Sequence, residues 1–261
     1  MPRLGENSSY AAFIGIDLAW PDRNLSGVTL LRMDLRKSNL SLSEPPCCLQ
    51  HDDEILDWVE RQRGPLTVLG IDAPIIAPNR AGAARPCDVE ITRDFGRFHA
   101  GAFPANRTKC ARPIGLREKL ERRAFDSDPK APPGQQGCWQ LEVYPHPAQV
   151  VFFRLLKIIK YKKGRVSARR DGLARFAGHI SHDLSRSEPR LLVNGQLHDL
   201  CCIDDLLRGR RLKARKDQLD AVLCAYVTAY HWWWGRERSK VYGDNTRGYI
   251  VCPRLNSGAD T

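Results

Sequence analysis

The sequence has no CxxC pair and no Cys/His spacing of the zinc type, although it contains nine cysteines. That absence excludes a zinc ribbon or finger. The cysteine number is odd, the residues are scattered from 47 to 252, and Cys224 sits near an apolar helical face. These features predict reduced thiols in an intracellular protein. Long hydrophobic runs are missing too: no stretch reaches membrane-spanning length, and Met1 to Tyr10 has no apolar signal core. A cytoplasmic protein with no membrane partner is expected. Acidic charge is in short supply, with 30 Asp+Glu against 41 Lys+Arg and a net charge of +11. A basic balance of this size suits a polyanionic partner. Hydrophobic residues make up 42%, enough for 261 residues to bury the core of one domain.

What is present centres on the segment from Lys216 to Tyr226. Leu219, Val222, Leu223, Tyr226 and Tyr230 recur at helical spacing and mark a buried stripe. Asp217 and Asp220 are three residues apart, a rotation of about 300°, so both point to nearly one side. Two upstream acids end short apolar runs of the buried-strand type: Asp17 in Phe13-Ile14-Gly15-Ile16-Asp17 and Asp72 in Val68-Leu69-Gly70-Ile71-Asp72. Taken singly, each is better read as a strand-end Asp capping a turn, and Asp217 as a first-turn acid favouring the helix dipole. Together, two acids from strand ends and two from one helix would form an oxygen-rich pocket suited to a hard divalent cation.

Read in order, the chain opens with three strands, at 11–18, 25–31 and 39–42, joined as an antiparallel meander. A helix from Asp52 and a fourth strand, Leu66 to Asp72, follow. This order resembles the ribonuclease H-like architecture, in which the first and fourth strands lie side by side. Residues 73–137 form a Pro- and Arg-rich insertion with short helices expected at 86–93 and 115–125, and Pro129 to Gly137 reads as a connector. Trp139 to Tyr144 is a fifth strand, whose Glu142 is expected either to reach the same pocket or to hold a neighbouring base. His146 stands between two prolines, either as a turn residue or as a proton shuttle. Helices are expected at 148–159, after Ser167 and at 199–207, and an edge strand at 248–253. Arg85, Lys162, Lys163, Arg169, Lys213 and Lys216 are the candidate phosphate contacts, set against the ordinary alternative of a solvated basic surface. Trp232-Trp233-Trp234 suits core or subunit packing, which is compatible with a homodimer.

GIDLAW at 15–20, GIDAP at 70–74, RPCDVEITRDFG at 85–96, FPAN at 103–106, LEVYPHPA at 141–148, YKKG at 161–164, RRDGL at 169–173, KDQLDAVLCAYVTA at 216–229 and RGYIVCP at 247–253 occur in this order along nearly the whole chain. In these pieces the sequence resembles the predicted ribonuclease H-like nuclease family catalogued as a domain of unknown function, number 429. The resemblance implies an α/β ribonuclease H-like fold, with a central mixed five-stranded sheet flanked by helices and a single domain over 1–261. By analogy with RuvC-type resolvases it implies Asp17, Asp72, Asp217 and Asp220 as ligands of two Mg²⁺ or Mn²⁺ ions, with Glu142 beside them. The chemistry expected from it is metal-dependent hydrolysis of phosphodiester bonds in DNA or RNA, with the two ions about 3.5–4 Å apart. Two other classes stay open. One is a catalytically silent nucleic-acid-binding protein on the same fold. The other is an actin/sugar-kinase-type phosphotransferase, which needs two sheet domains and a second glycine-rich phosphate loop.

Overall fold

The computed structural model describes residues 10–80, 83–130 and 134–255. The segment before Tyr10 and the Pro132-Pro133 part of the expected connector lie outside the described residues.

The sheet grows from the apolar runs seen in the sequence. Strands β1 (Tyr10–Asp17), β2 (Ser26–Asp34) and β3 (Asn39–Leu42) pair antiparallel, with Ile14 opposite Leu30 and Leu31 opposite Leu42. A short strand β4 (Cys47–Leu49) also pairs with β2. Helix α1 (Asp52–Gln62) crosses over, burying Ile55, Leu56, Trp58 and Val59. The carboxylate of Glu54 accepts the Gln50 and His51 amides at its N-terminus. The chain returns as β5 (Leu66–Ile71), parallel to β1, and β6 (Gly137–Glu142) adds in parallel outside β5. Strand β7 (Arg190–Leu192) closes the far edge beside β3, for the order β6-β5-β1-β2-β3-β7. The result is a central mixed sheet flanked by helices, consistent with a ribonuclease H-like α/β arrangement, with two short strands beyond the five expected.

The remaining elements differ in extent from the sequence expectations. The insertion carries α2 (Pro86–Phe95) and α3 (Ala111–Glu121). Helix α4 spans Pro145–Phe152, so the two prolines around His146 start a helix rather than a turn. Proline lacks an N–H that the first turn leaves unpaired anyway. Arg154, at φ +50°, marks the reversal after it, well short of residue 159. Helix α5 (Val166–Asp183) precedes β7, and α6 (Gly195–Cys201) follows it. Asn194 caps α6 by accepting the Leu197 amide, which sets the helix earlier than 199–207. Strands β8 (Ser239–Asp244) and β9 (Gly248–Pro253) form a separate two-stranded hairpin, so the last strand is not an edge of the main sheet. The two large sheet domains of an actin/sugar-kinase-type protein are not found among the described residues. No described helix is long and apolar enough to cross a membrane.

Helix α7 (Gly209–Trp234) lies across β1, β2 and β5. It starts two turns before Lys216, so the basic stretch from Arg210 onward is part of the helix. Its close seat depends on glycines from three adjacent strands. A Cβ on Gly15 would run into the Ala221 carbonyl, one on Gly27 into the Asp217 carbonyl, and one on Gly70 would stand 2.7 Å from the Cys224 carbonyl oxygen. Gly15 and Gly70 face each other in register, which explains why Gly-Ile-Asp occurs at both strand ends. Gly15→Ala is therefore expected to destabilise the protein by about 1–3 kcal/mol, the usual cost of overpacking. Urea unfolding measures it; a loss within a few tenths of a kcal/mol would show that the helix does not need this approach.

Candidate functional site

The strand pairing brings two of the sequence-predicted acids together. The Asp72 amide donates to the Ile16 carbonyl at 2.9 Å, so Asp17 and Asp72 leave adjacent strands at the same sheet end. Helix α7 supplies the other two from below: Asp217 and Asp220 are buried on its sheet-facing side. The four acids meet, but a lysine stands among them. The Lys216 ammonium is 3.0 Å from Asp17, 2.7 Å from Asp217 and 3.2 Å from Asp220. Lys162, from the loop after α4, is 3.2 Å from Asp220, and Lys213 donates to Asp217 at 2.6 Å. Tyr161, stacked on Phe176 at 4.7 Å, donates to the Asp220 carboxylate at 2.5 Å and accepts from Gln149 at 2.8 Å.

The electrostatics follow from this packing. Burial would raise Asp220, but Lys162 and Lys216 outweigh it and hold the carboxyl down at about 2. Burial would lower Lys216, but Asp17, Asp220 and Asp217 together push it well above the usual lysine range. Asp17 is raised, burial prevailing over Lys216. Asp72 is pushed up to about 8 by burial against the pull of Lys162. Its side chain makes no hydrogen bond among the described residues.

This geometry overturns the expectation of a two-metal Mg²⁺/Mn²⁺ hydrolase, and with it the nuclease assignment. Among the described residues, no group of three or more His, Cys, Asp or Glu side chains is arranged to hold a metal ion. The physical reason is the occupant already there. The negative charge that would attract a cation is bonded to Lys216 on three sides and to Lys162 on a fourth. The signal for this lay in the sequence as helical i, i+4 pairs, Lys213 with Asp217 and Lys216 with Asp220.

Glu142 is held apart in a second buried cluster. Arg85 donates to it at 2.8 and 2.6 Å, to Asp88 at 2.7 Å and to the Ile76 carbonyl at 2.9 Å. Burial would lower the Arg85 guanidinium; Glu142 and Asp88 more than reverse that. Arg85 is 1% exposed, so this candidate phosphate contact has its guanidinium turned inward and tied up by acids and a carbonyl. The cluster ties the insertion to the end of β6. Beside it, Tyr144 donates to the Gly101 carbonyl at 3.0 Å, which leaves its oxygen to accept from His146 Nδ1 at 3.2 Å. Burial, then Lys162, lowers His146 to about 3, so the ring is neutral at physiological pH, with Nε2 as an acceptor.

Two cavities flank the cluster. The first, about 600 Å³, is lined by Lys162, Arg169, Lys213 and Lys216 against Asp17 and Asp217, four cations to two carboxylates. Arg169 makes no ion pair among the described residues. Lys163 is exposed just outside it. The second, about 310 Å³, lies on the other side of Asp17, Trp20 and Lys162 and reaches Asp72, His146 and Phe103. Trp20 and Phe103 carry no sequence signal for a place here, since neither has a charge or a periodic neighbour that would mark it.

Residues 15–247 match the family described as "Protein of unknown function (DUF429)", and the chain belongs to that family. None of the curated proteins and none of the solved structures matches the chain.

Proposed function

We propose that this member of a family of unknown function binds nucleic acid through the phosphate backbone and does not cut it. The observation that carries this reading is the cavity beside the β1–α7 junction, with its four cations against two carboxylates. The buried acids have a definite part in it. Lys216 is committed to Asp17, Asp217 and Asp220 and acts as a keystone. Lys162, partly exposed and held by one acid at 3.2 Å, keeps donors for a phosphate, as does Arg169. Arg208, Arg210 and Arg211 extend the same positive surface around the start of α7, exposed and without ion pairs among the described residues. The N-terminal end of a 26-residue helix adds a partial positive charge there.

Anisotropy titrations with labelled DNA and RNA test the reading. Affinity should fall steeply between about 50 and 200 mM salt, as counterion release requires. Arg169→Ala and Arg211→Ala should each weaken binding on every sequence and lower the log–log salt slope by about 1. Added Mg²⁺ should leave the nucleic acid intact. Absence of binding, a salt-independent affinity or Mg²⁺-dependent cleavage would overturn the proposal.

A further inference from the structure

The two cavities share a wall yet have opposite electrical character. In the smaller one, Asp17, Asp72, Asp88 and Glu142 face two cations, Arg85 and Lys162. Both cations are already paired with acids. With both cations committed, a phosphate finds no free positive charge there, whereas a neutral group with hydrogen-bond donors would be accepted. The volume, about 310 Å³, is at the small end of ligand sites. Phe103 stands at this cavity 78% exposed, a large aromatic ring on a loop with most of its surface in water. The Asp72 carboxyl, without a hydrogen-bond partner among the described residues, offers an acceptor oxygen. With Nδ1 directed to Tyr144, His146 keeps Nε2 as a second acceptor.

We propose that this cavity receives a single unpaired nucleobase, stacked on Phe103, from a strand whose phosphate occupies the adjoining basic cavity. The inference rests on the nucleic-acid reading above and adds the form of nucleic acid preferred. A base and its own phosphate are separated by one sugar, and the two cavities are separated by one wall, made in part by Asp17, Trp20 and Lys162. A duplex keeps its bases stacked inside and cannot fill the cavity without flipping one out. Asp72 and His146 Nε2 together offer acceptors for both hydrogens of an exocyclic amino group, which adenine, cytosine and guanine carry and thymine and uracil lack, so the amino-bearing bases are preferred.

The test compares a short oligo(dA), an oligo(dT) and a hairpin duplex of equal charge, by competition at one salt concentration. The full chain should bind oligo(dA) roughly ten-fold more tightly than the duplex, in line with stacking of one base on an aromatic ring. Phe103→Ala, at an exposed position that the fold does not depend on, should remove that margin and leave duplex affinity unchanged. If Phe103→Ala weakens both forms equally, or neither, the base pocket is overturned while backbone binding stands. Equal affinity for oligo(dA) and oligo(dT) would overturn the role given to Asp72. A chain that binds none of the three would remove the backbone reading itself.

Discussion

Replacing Lys216 with alanine is expected to cost about 3–5 kcal/mol of stability at neutral pH, the range for removing one partner of a buried ion pair. The ammonium touches Asp17, Asp217 and Asp220, and their side chains are 13%, 4% and 0% exposed. Without it, three buried carboxylates keep only Lys162 and Lys213 for compensation. Like charges so placed cannot all remain ionised. The loss should therefore be largest near neutrality and shrink in acid, where the carboxyls take up protons. Denaturant unfolding of Lys216→Ala at pH 7 and pH 4 measures it, with Lys216→Met to separate lost charge from lost packing. Lys216→Ala combined with Asp220→Asn should recover part of the deficit, because the two side chains are coupled. A change under about 1 kcal/mol at pH 7, the size expected of a surface pair, would mean that the lysine is not the centre of this cluster.

Asp72→Asn is expected to do the opposite and stabilise the protein. In the unfolded chain Asp72 ionises near 3.8, whereas in the folded chain burial raises it to about 8. Between those values the folded state holds a proton that the unfolded state has released. Stability therefore falls as pH rises from about 4 to about 8, and this group's contribution is flat beyond either end. At pH 7 the full shift would correspond to about 4 kcal/mol, and partial solvent access brings the expected gain for Asn to about 2 kcal/mol. The facing groups that set the balance are Lys162, Asp17, Asp220 and Lys216, with Tyr144 and Cys224 close by. Asp220 has the reverse sign: its stabilising effect is present above 3.8 and is lost as pH falls through about 2. Melting curves of wild type and Asp72→Asn from pH 4 to pH 8 should coincide at the acid end and separate toward the alkaline end. Parallel curves across that range would show that Asp72 ionises normally in the fold. An acid that costs stability where it stands points to a role in binding rather than in folding.

Much of the scaffold was legible in the residues. Alternating and continuous apolar runs marked five strands, and the resemblance to the ribonuclease H-like architecture set the first beside the fourth. The regular recurrence of Leu219, Val222, Leu223 and Tyr226 marked the sheet-facing side of α7, where the acids lie. Local signals are ambiguous where two structures share a motif. Pro-His-Pro fits either a turn or the first turn of a helix, and the choice depends on whether the following residues can bury a face, as Ala148, Gln149 and Val150 do.

The residues alone thus specified that two acids end buried strands and two share one side of a helix, because strand and helical periods are local properties; that the two strands are neighbours came only from the family resemblance and is shown by the fold. The helical pairs Lys213–Asp217 and Lys216–Asp220 were written in the spacing, but only the tertiary packing decided that lysines neutralise the whole group. Lys216 reaches Asp17 across 199 residues and Lys162 reaches Asp220 across 58, contacts that no spacing rule encodes. The same applies to Arg85, exposed by its composition and buried by its partners Asp88 and Glu142. A charged side chain carries no mark of its counter-ion; burial and the neighbouring charges choose between ammonium, guanidinium and metal, and both are set by the packed fold.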